Sequence, residues 1–159
     1  MNLTPIGIIH SPHQRAEGTP VQAALATGFQ GTVEVFPEYA AGLLDLDGFE
    51  RIWLVYFFDR AKPAELVVTP HLDTTPHGLF ATRAPCRPNP IGLSAVRLLG
   101  VVGSVLQVDG LDILDKTPLL DIKPYIPAFD AFEARRIGWG PNAKGGSVVA
   151  DNRFTVGET

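Results

Sequence analysis

Apolar and polar positions along this chain change period often and never settle into a long helical repeat. Residues 3–9 form an apolar, β-prone run that predicts a first strand. Residues 10–26 carry Pro12, Gly18 and Pro20 without a sustained period and read as a loop. Over residues 31–36, Val33 and Val35 alternate with Thr32 and Glu34, the pattern of a half-buried strand. Pro37 suits a first helical position and opens one or two helical turns over residues 37–46, and Asp47-Gly48 marks a turn. Residues 51–58 are almost continuously apolar and aromatic, which suits a strand buried on both faces.

Farther along, residues 66–69 predict a short strand, residues 71–78 a loop, and residues 79–82 lead into a proline-dense segment at 83–90. Residues 92–102 and 105–108 flank Gly103-Ser104, a pair suited to a two-residue hairpin turn with glycine first. Residues 112–118 form another turn before a strand at 119–123. Residues 129–137 predict a short helix, with Asp130 and Glu133 early, Arg135 and Arg136 late, and Gly138 after it. Residues 142–146 read as flexible, and residues 147–156 as an edge strand or a segment packing on a partner subunit. Several short strands joined by turns predict a mostly β fold, a small antiparallel β-barrel with short helices and long loops. No repeat or linker divides the chain, so residues 1–159 are expected to form one domain, with 129–159 as a C-terminal extension.

Composition narrows the function classes. With 45% hydrophobic residues, 16 Gly and 14 Pro, the chain has a core and many turns. No apolar run is long enough to span a bilayer as a helix, and residues 1–10 lack a basic region followed by an apolar core, so a cytoplasmic protein with no membrane partner is expected. Cys86 is the single cysteine, which excludes an internal disulfide and a multi-cysteine zinc site. The four histidines, His10, His13, His71 and His77, show no metal-ligand spacing, so no metal is expected. Gly138-Trp139-Gly140-Pro141-Asn142-Ala143 has the bare glycine spacing of a dinucleotide loop, but it contains a proline and follows no strand. The net charge of −4 means that any nucleic-acid contact relies on a local basic patch.

Two segments carry chemistry. In Arg83-Ala84-Pro85-Cys86-Arg87-Pro88-Asn89-Pro90-Ile91-Gly92-Leu93-Ser94, three prolines remove backbone donors and favour extended residues before them. The result is a stiff loop that presents Arg83, Arg87 and Asn89 in preset directions, and its guanidiniums suit a carboxylate or phosphate. A surface loop whose arginines pair with nearby acids is the alternative. The turn Asp112-Ile113-Leu114-Asp115-Lys116-Thr117-Pro118 offers carboxylates for ribose hydroxyls or an adenine amino group; an ordinary Asp-rich turn reads the same way. The aromatic run from Trp53 to Phe58 is core-forming, and such a wall also stacks on adenine or faces a sulfonium cation.

Together these segments resemble the TsaA-like (UPF0066) family. The matching residues are Phe80-Ala81-Thr82-Arg83-Ala84-Pro85, Arg87 to Ser94, Ile6-Gly7, Ser11-Pro12, Gly48-Phe49, Trp53, Leu111-Asp112, Asp115, Thr117-Pro118 and Asp121-Ile122-Lys123-Pro124-Tyr125. The characterised branch of that family is a TrmO-like tRNA (adenine-N6)-methyltransferase acting on threonylcarbamoyladenosine beside the anticodon. The resemblance implies a dimeric β-barrel that binds S-adenosylmethionine near the subunit interface, with tRNA as substrate and no role for DNA. Carried over by position, cofactor contacts fall on Thr19, Pro20, Val21, Gln22, Phe58, Asp59, Arg83, Arg87, Leu93, Asp112, Leu114, Asp115, Lys116 and Thr117. Candidates near the chemistry are Asn89, Asp121, Lys123 and Tyr125, with Asn89 suited to accept a hydrogen from the adenine amino group. Two positions depart from the family pattern: Val21 stands where an arginine is usual, and Asp59 where a histidine is usual. The competing readings are a methyltransferase with a small-molecule acceptor, a non-catalytic S-adenosylmethionine-binding regulator, and a barrel with no ligand.

Overall fold

Alternation of side chains along the strands builds the molecule from inside outward. A computed structural model describes residues 2–156. Six strands close into a barrel: β1 (Gly7–His10), β2 (Gln30–Val35), β3 (Arg51–Phe57), and, after the short pair β4 (Val67–Val68) and β5 (His77–Gly78), β6 (Ile91–Val102), β7 (Val105–Asp109) and β8 (Thr117–Pro124). Their order around the barrel is β1-β2-β7-β6-β3-β8, and β1 pairs with both β2 and β8, so the sheet has no free edge. All neighbours are antiparallel. Every second residue points inward, and Ile9, Val33, Ile52, Leu54, Val96, Leu106, Val108 and Leu119 are fully buried there.

The hairpin turn lies where the glycine signal puts it. Val102 pairs with Val105, and Gly103 takes φ 62, a region that costs glycine nothing. Register shifts near Leu98 and Gly100 on β6, and between Val55 and Tyr56 where β3 meets β8, bend the strands around the barrel.

Four expectations need correcting. The first strand begins at Gly7, so residues 3–6 lie outside it. β3 is not buried on both faces: Ile52, Leu54 and Tyr56 fill the interior, whereas Trp53, Val55 and Phe57 face outward and are half-buried under loops. The helix predicted over 129–137 is a single turn, α1 (Pro127–Asp130). Phe132 and Ile137 are 82% and 63% exposed, so that segment has no apolar stripe packed on the core to sustain helix. Residues 147–156 form no strand beyond isolated bridges, at Pro20–Val149 and Ala61–Thr155.

The C-terminal residues form an arm across one end of the barrel. Ala150 N donates to Thr19 O at 2.7 Å, Gly18 N to Ala150 O at 2.9 Å, and Lys62 N to Phe154 O at 2.9 Å. Phe154 is buried with Val68, Leu79, Ala84 and Cys86 in a second apolar cluster beneath the arm. Residues 142–146 are also held: Asp73 Oδ1 accepts from Lys144 N at 3.2 Å, and Thr74 Oγ1 donates to Lys144 O at 3.1 Å. Asp73 Oδ2 lies 2.9 Å from His77 Nε2, and the His77 ring stacks on Trp139 at 4.4 Å. The Trp139 indole donates to Ala81 O at 2.8 Å, joining the arm to the proline-rich loop.

Candidate functional site

A cavity of about 820 Å³ opens at that end of the barrel, between the barrel mouth, the proline-rich loop and the arm. Thr19, Pro20, Val21, Gln22, Phe58, Asp59, Arg83, Arg87, Leu93, Asp112, Leu114 and Thr117 all line it. These residues come from four separate stretches of sequence, and closing the barrel is what brings them together.

The floor is a polar relay set into an apolar wall. Tyr56 points inward from β3, and its ring passes over Gly92 of the paired strand; a Cβ at Gly92 would lie 2.1 Å from Tyr56 Cε2. Ser94 Oγ donates to Asp112 Oδ1 at 2.6 Å, and Tyr56 Oη lies 3.1 Å from Ser94 Oγ. Because the single Ser94 hydrogen is directed at the carboxylate, the Tyr56 hydroxyl donates to Ser94. Burial, then the nearby Asp112 charge, holds the Tyr56 phenol well above its ordinary range. Burial likewise pushes the Asp112 carboxyl above its ordinary value, against the hydrogen bond from Ser94 and the charge of Arg83.

Arg83 and Arg87 play different parts. Arg83 Nη1 donates to Gln22 Oε1 at 2.6 Å, which links the proline-rich loop to the 19–22 segment. Arg87 Nη1 is directed at the carbonyls of Thr82 and Ala84, at 3.2 and 3.3 Å, and its guanidinium lies 5.8 Å from the Phe80 ring centre. Arg87 therefore braces the loop from within.

Asp115 and Lys116 lie off the cavity wall. Burial raises the Asp115 carboxyl, but hydrogen bonds from Ser11 N at 3.0 Å and from Gln14 outweigh it and leave the group below its ordinary value. Asp115 thus fixes the 11–14 loop, and the Arg60 guanidinium donates to its carbonyl. Lys116 is exposed and adopts φ 64, the left-handed geometry that turns the chain into β8.

Of the residues expected near the chemistry, Tyr125 lines an adjoining groove of about 550 Å³, with its ring 5.5 Å from that of Trp53. Trp53, Gln22, Arg83, Leu93 and Asp112 border both spaces and form the partition between them. Asn89 is exposed, and its carbonyl accepts from Ile91 N at 2.8 Å. Lys123 Nζ pairs with Asp121 Oδ2 at 2.7 Å on β8. Asn89, Asp121 and Lys123 line neither space.

Several wall residues escaped sequence reasoning. Ile137, Trp139, Gly140, Ala150, Asp151 and Phe154 of the arm line the cavity, and His71 lies beside them, its ring 5.1 Å from that of Phe154. Arg153 holds Asp151 through Nε–Oδ1 and Nη2–Oδ2 contacts of 2.9 and 2.6 Å, and this pair keeps the Asp151 carboxyl down at about 2. A tryptophan between two glycines, Gly138-Trp139-Gly140, was the one visible signal, because a large aromatic in a polar, glycine-rich stretch needs a surface to lie on.

The chain is thus a closed antiparallel β-barrel with a loop-built cavity at one end. Residues 8–131 match the model of the tRNA-methyltransferase O N-terminal domain, and the chain belongs to that family. It is 56% identical over 135 residues to a probable S-adenosyl-L-methionine-binding protein of Pyrococcus abyssi, a match covering 85% of this chain and 73% of that protein. A probable S-adenosyl-L-methionine-binding protein of Archaeoglobus fulgidus is 42% identical over 139 residues, covering 87% of this chain and 38% of that one. The crystal structure of TrmO from Pseudomonas aeruginosa superposes with a TM-score of 0.73 at 38% identity, covering 87% of this chain and 62% of that one. The chain thus spans less than two thirds of the TrmO structure and of the Archaeoglobus protein. The family supports a methyltransferase-like function. The family match ends at residue 131, so the arm that completes the cavity wall lies beyond it.

Proposed function

We propose that the cavity binds S-adenosylmethionine and that the protein transfers its methyl group to N6 of an adenine, with threonylcarbamoyladenosine beside the tRNA anticodon as the acceptor. The observation that carries this reading is the convergence of Thr19 to Gln22, Phe58, Asp59, Arg83, Leu93, Asp112, Leu114 and Thr117 on one cavity, in a chain of this family.

The wall fits such a cofactor. Its size falls in the range of small-molecule sites, about 300–1,000 Å³. Phe58, Phe80, Leu93 and Leu114 offer apolar surface to a purine, Asp59 and Asp112 offer negative charge to cationic groups, and Arg83 offers a guanidinium to a carboxylate. The chemistry supplied by the bound group is an electrophilic methyl on a sulfonium sulfur. The chain's own contribution is alignment and exclusion of water: the braced loop, the relay beneath Asp112 and the arm hold the walls in place before a ligand arrives. Tyr125, across the Trp53 partition, is the acceptor-side candidate that the geometry favours.

A second reading keeps the cofactor and changes the acceptor to a small amine, or drops it for a regulatory role. Asp59 and Val21 on the cavity wall, together with the net charge of −4, favour it. Calorimetric titration with S-adenosylmethionine and with S-adenosylhomocysteine tests the cofactor. Micromolar binding of both is expected, and binding of neither by folded protein removes the methyltransferase reading. Tritium transfer to tRNA against a panel of small amines then separates the acceptors.

A further inference from the structure

The 550 Å³ groove behind the Trp53 partition holds two arginines that the cavity does not use. Arg51 of β3 and Arg97 of β6 are direct register partners across the sheet, and both line the groove. Side chains at paired positions lie on the same face, so two guanidiniums extend side by side from the outer surface of the barrel. Like charges placed this way disfavour the pairing. Among the described residues, neither guanidinium meets a carboxylate more closely than the 4.0 Å contact between Arg97 Nε and Glu50 Oε1.

The carboxylates bordering the groove accept hydrogen bonds from neutral donors and not from the two arginines. Asp109 Oδ1 accepts from Gly28 N at 2.9 Å, Asp130 Oδ2 from Ile126 N at 2.7 Å, and Asp112 Oδ1 from Ser94. Arg83 and Trp53 stand at the border of both spaces, and Tyr125 lies on the groove side with its ring tilted 58° to that of Trp53. Two adjacent guanidiniums, one with only a 4.0 Å carboxylate contact, beside an aromatic pair match the chemistry of a ribonucleotide chain, with phosphate on one side and a base face on the other.

We propose that Arg51 and Arg97 clamp a backbone phosphate of an RNA strand, which lays a neighbouring base against Trp53 and Tyr125 at the entrance to the cavity. Asp109, Asp112 and Asp130 line the same groove as Arg51, Arg83 and Arg97, so the clamp acts through its two adjacent guanidiniums and not through a net positive patch. This assignment rests on the reading of the larger cavity as the cofactor site, and it identifies the face from which the acceptor approaches.

Fluorescence anisotropy of a labelled RNA stem-loop, across a salt series, with wild type and the Arg51→Gln/Arg97→Gln variant, tests it. Loss of the clamped phosphate contact lowers the slope of log affinity against log salt by about 0.7 to 0.9 and weakens binding. The Arg51→Lys/Arg97→Lys variant keeps the slope and loses only part of the affinity, a separation that a purely structural role for the arginines does not produce. The Gln variant melts at or above the wild-type temperature, because the like-charge repulsion is gone. Calorimetry with S-adenosylmethionine gives the same dissociation constant for wild type and Gln variant. An unchanged salt slope in the Gln variant, or no RNA binding by wild type, overturns the clamp. Adenosine monophosphate binding as tightly as the RNA, with the same loss in the Gln variant, overturns RNA as its occupant. Failure of wild type to bind S-adenosylmethionine while the slope change persists would defeat the cofactor reading alone.

Discussion

Ser94 donates its one hydroxyl hydrogen to Asp112 at 2.6 Å and receives that of Tyr56 at 3.1 Å, so a residue inside the barrel is tied through β6 to the cavity rim. Ser94→Ala strands a buried phenol donor and a carboxylate acceptor together. The expected cost is about 1–3 kcal/mol of stability, against about 0.5–1.5 kcal/mol for Tyr56→Phe, which removes one donor without stranding another. Denaturant unfolding of wild type and the two variants measures both, and variant midpoints equal to that of wild type would show that the relay contributes nothing.

Asp112 makes stability depend on pH in a particular direction. Burial raises its folded value above the ordinary 3.8, so the folded chain holds this proton where the unfolded chain has lost it. Stability from this group therefore falls as pH rises above 3.8, and the penalty is complete once the folded carboxyl has ionised. Asp112→Asn flattens that part of the curve while weakening S-adenosylmethionine binding. Melting temperature against pH checks the first effect and calorimetry the second; an unchanged pH profile would show that burial does not raise the Asp112 carboxyl.

Asp73 works with the opposite sign. Its hydrogen bond with His77, then that from Lys144 N, draws the carboxyl down to about 2. The stabilising contribution is fully present above 3.8 and is lost as pH falls through about 2. Limited proteolysis should cut the arm near residues 140–150 more readily in Asp73→Asn than in wild type at neutral pH. Hydrogen exchange that is equally slow in both proteins would mean that the clamp does not hold the arm.

Gly92 faces Tyr56 with no room for a side chain, since the added carbon would sit 2.1 Å from the ring. Gly92→Ala should destabilise the fold by about 1–3 kcal/mol through overpacking. Pairing it with Tyr56→Leu, which clears that space, should cost less than the sum of the two single changes. Strict additivity in a double-mutant cycle would show that the two positions are uncoupled.

Much of the barrel was legible because the strands obey a period of two and are set off by glycine and proline. Gly103-Ser104 marked the hairpin, and Val33 and Val35 alternated as one buried face requires. The run at 51–58 misled because a barrel strand with cavity and loops over its outer face carries apolar residues on both sides, as a doubly covered strand does. In the site, the Arg83-to-Ser94 and Asp112-to-Thr117 segments were visible as stiff loop and acidic turn. The bracing role of Arg87 was not, because nothing in a sequence says whether a guanidinium faces a ligand or its own backbone carbonyls. The arm was opaque for a related reason: many of its contacts are backbone hydrogen bonds, among them those to Thr19, Gly18 and Lys62, which leave no periodic trace.

Chain order gives the arm a further consequence. All six barrel strands precede it, so during vectorial synthesis the closing pair β1–β8 is available before Trp139 and Phe154 have left the ribosome. The nascent barrel can form with its binding site still unfinished. The cavity wall is then completed after the barrel, and a lesion confined to the arm would open the cavity while leaving the pairing of the barrel strands in place.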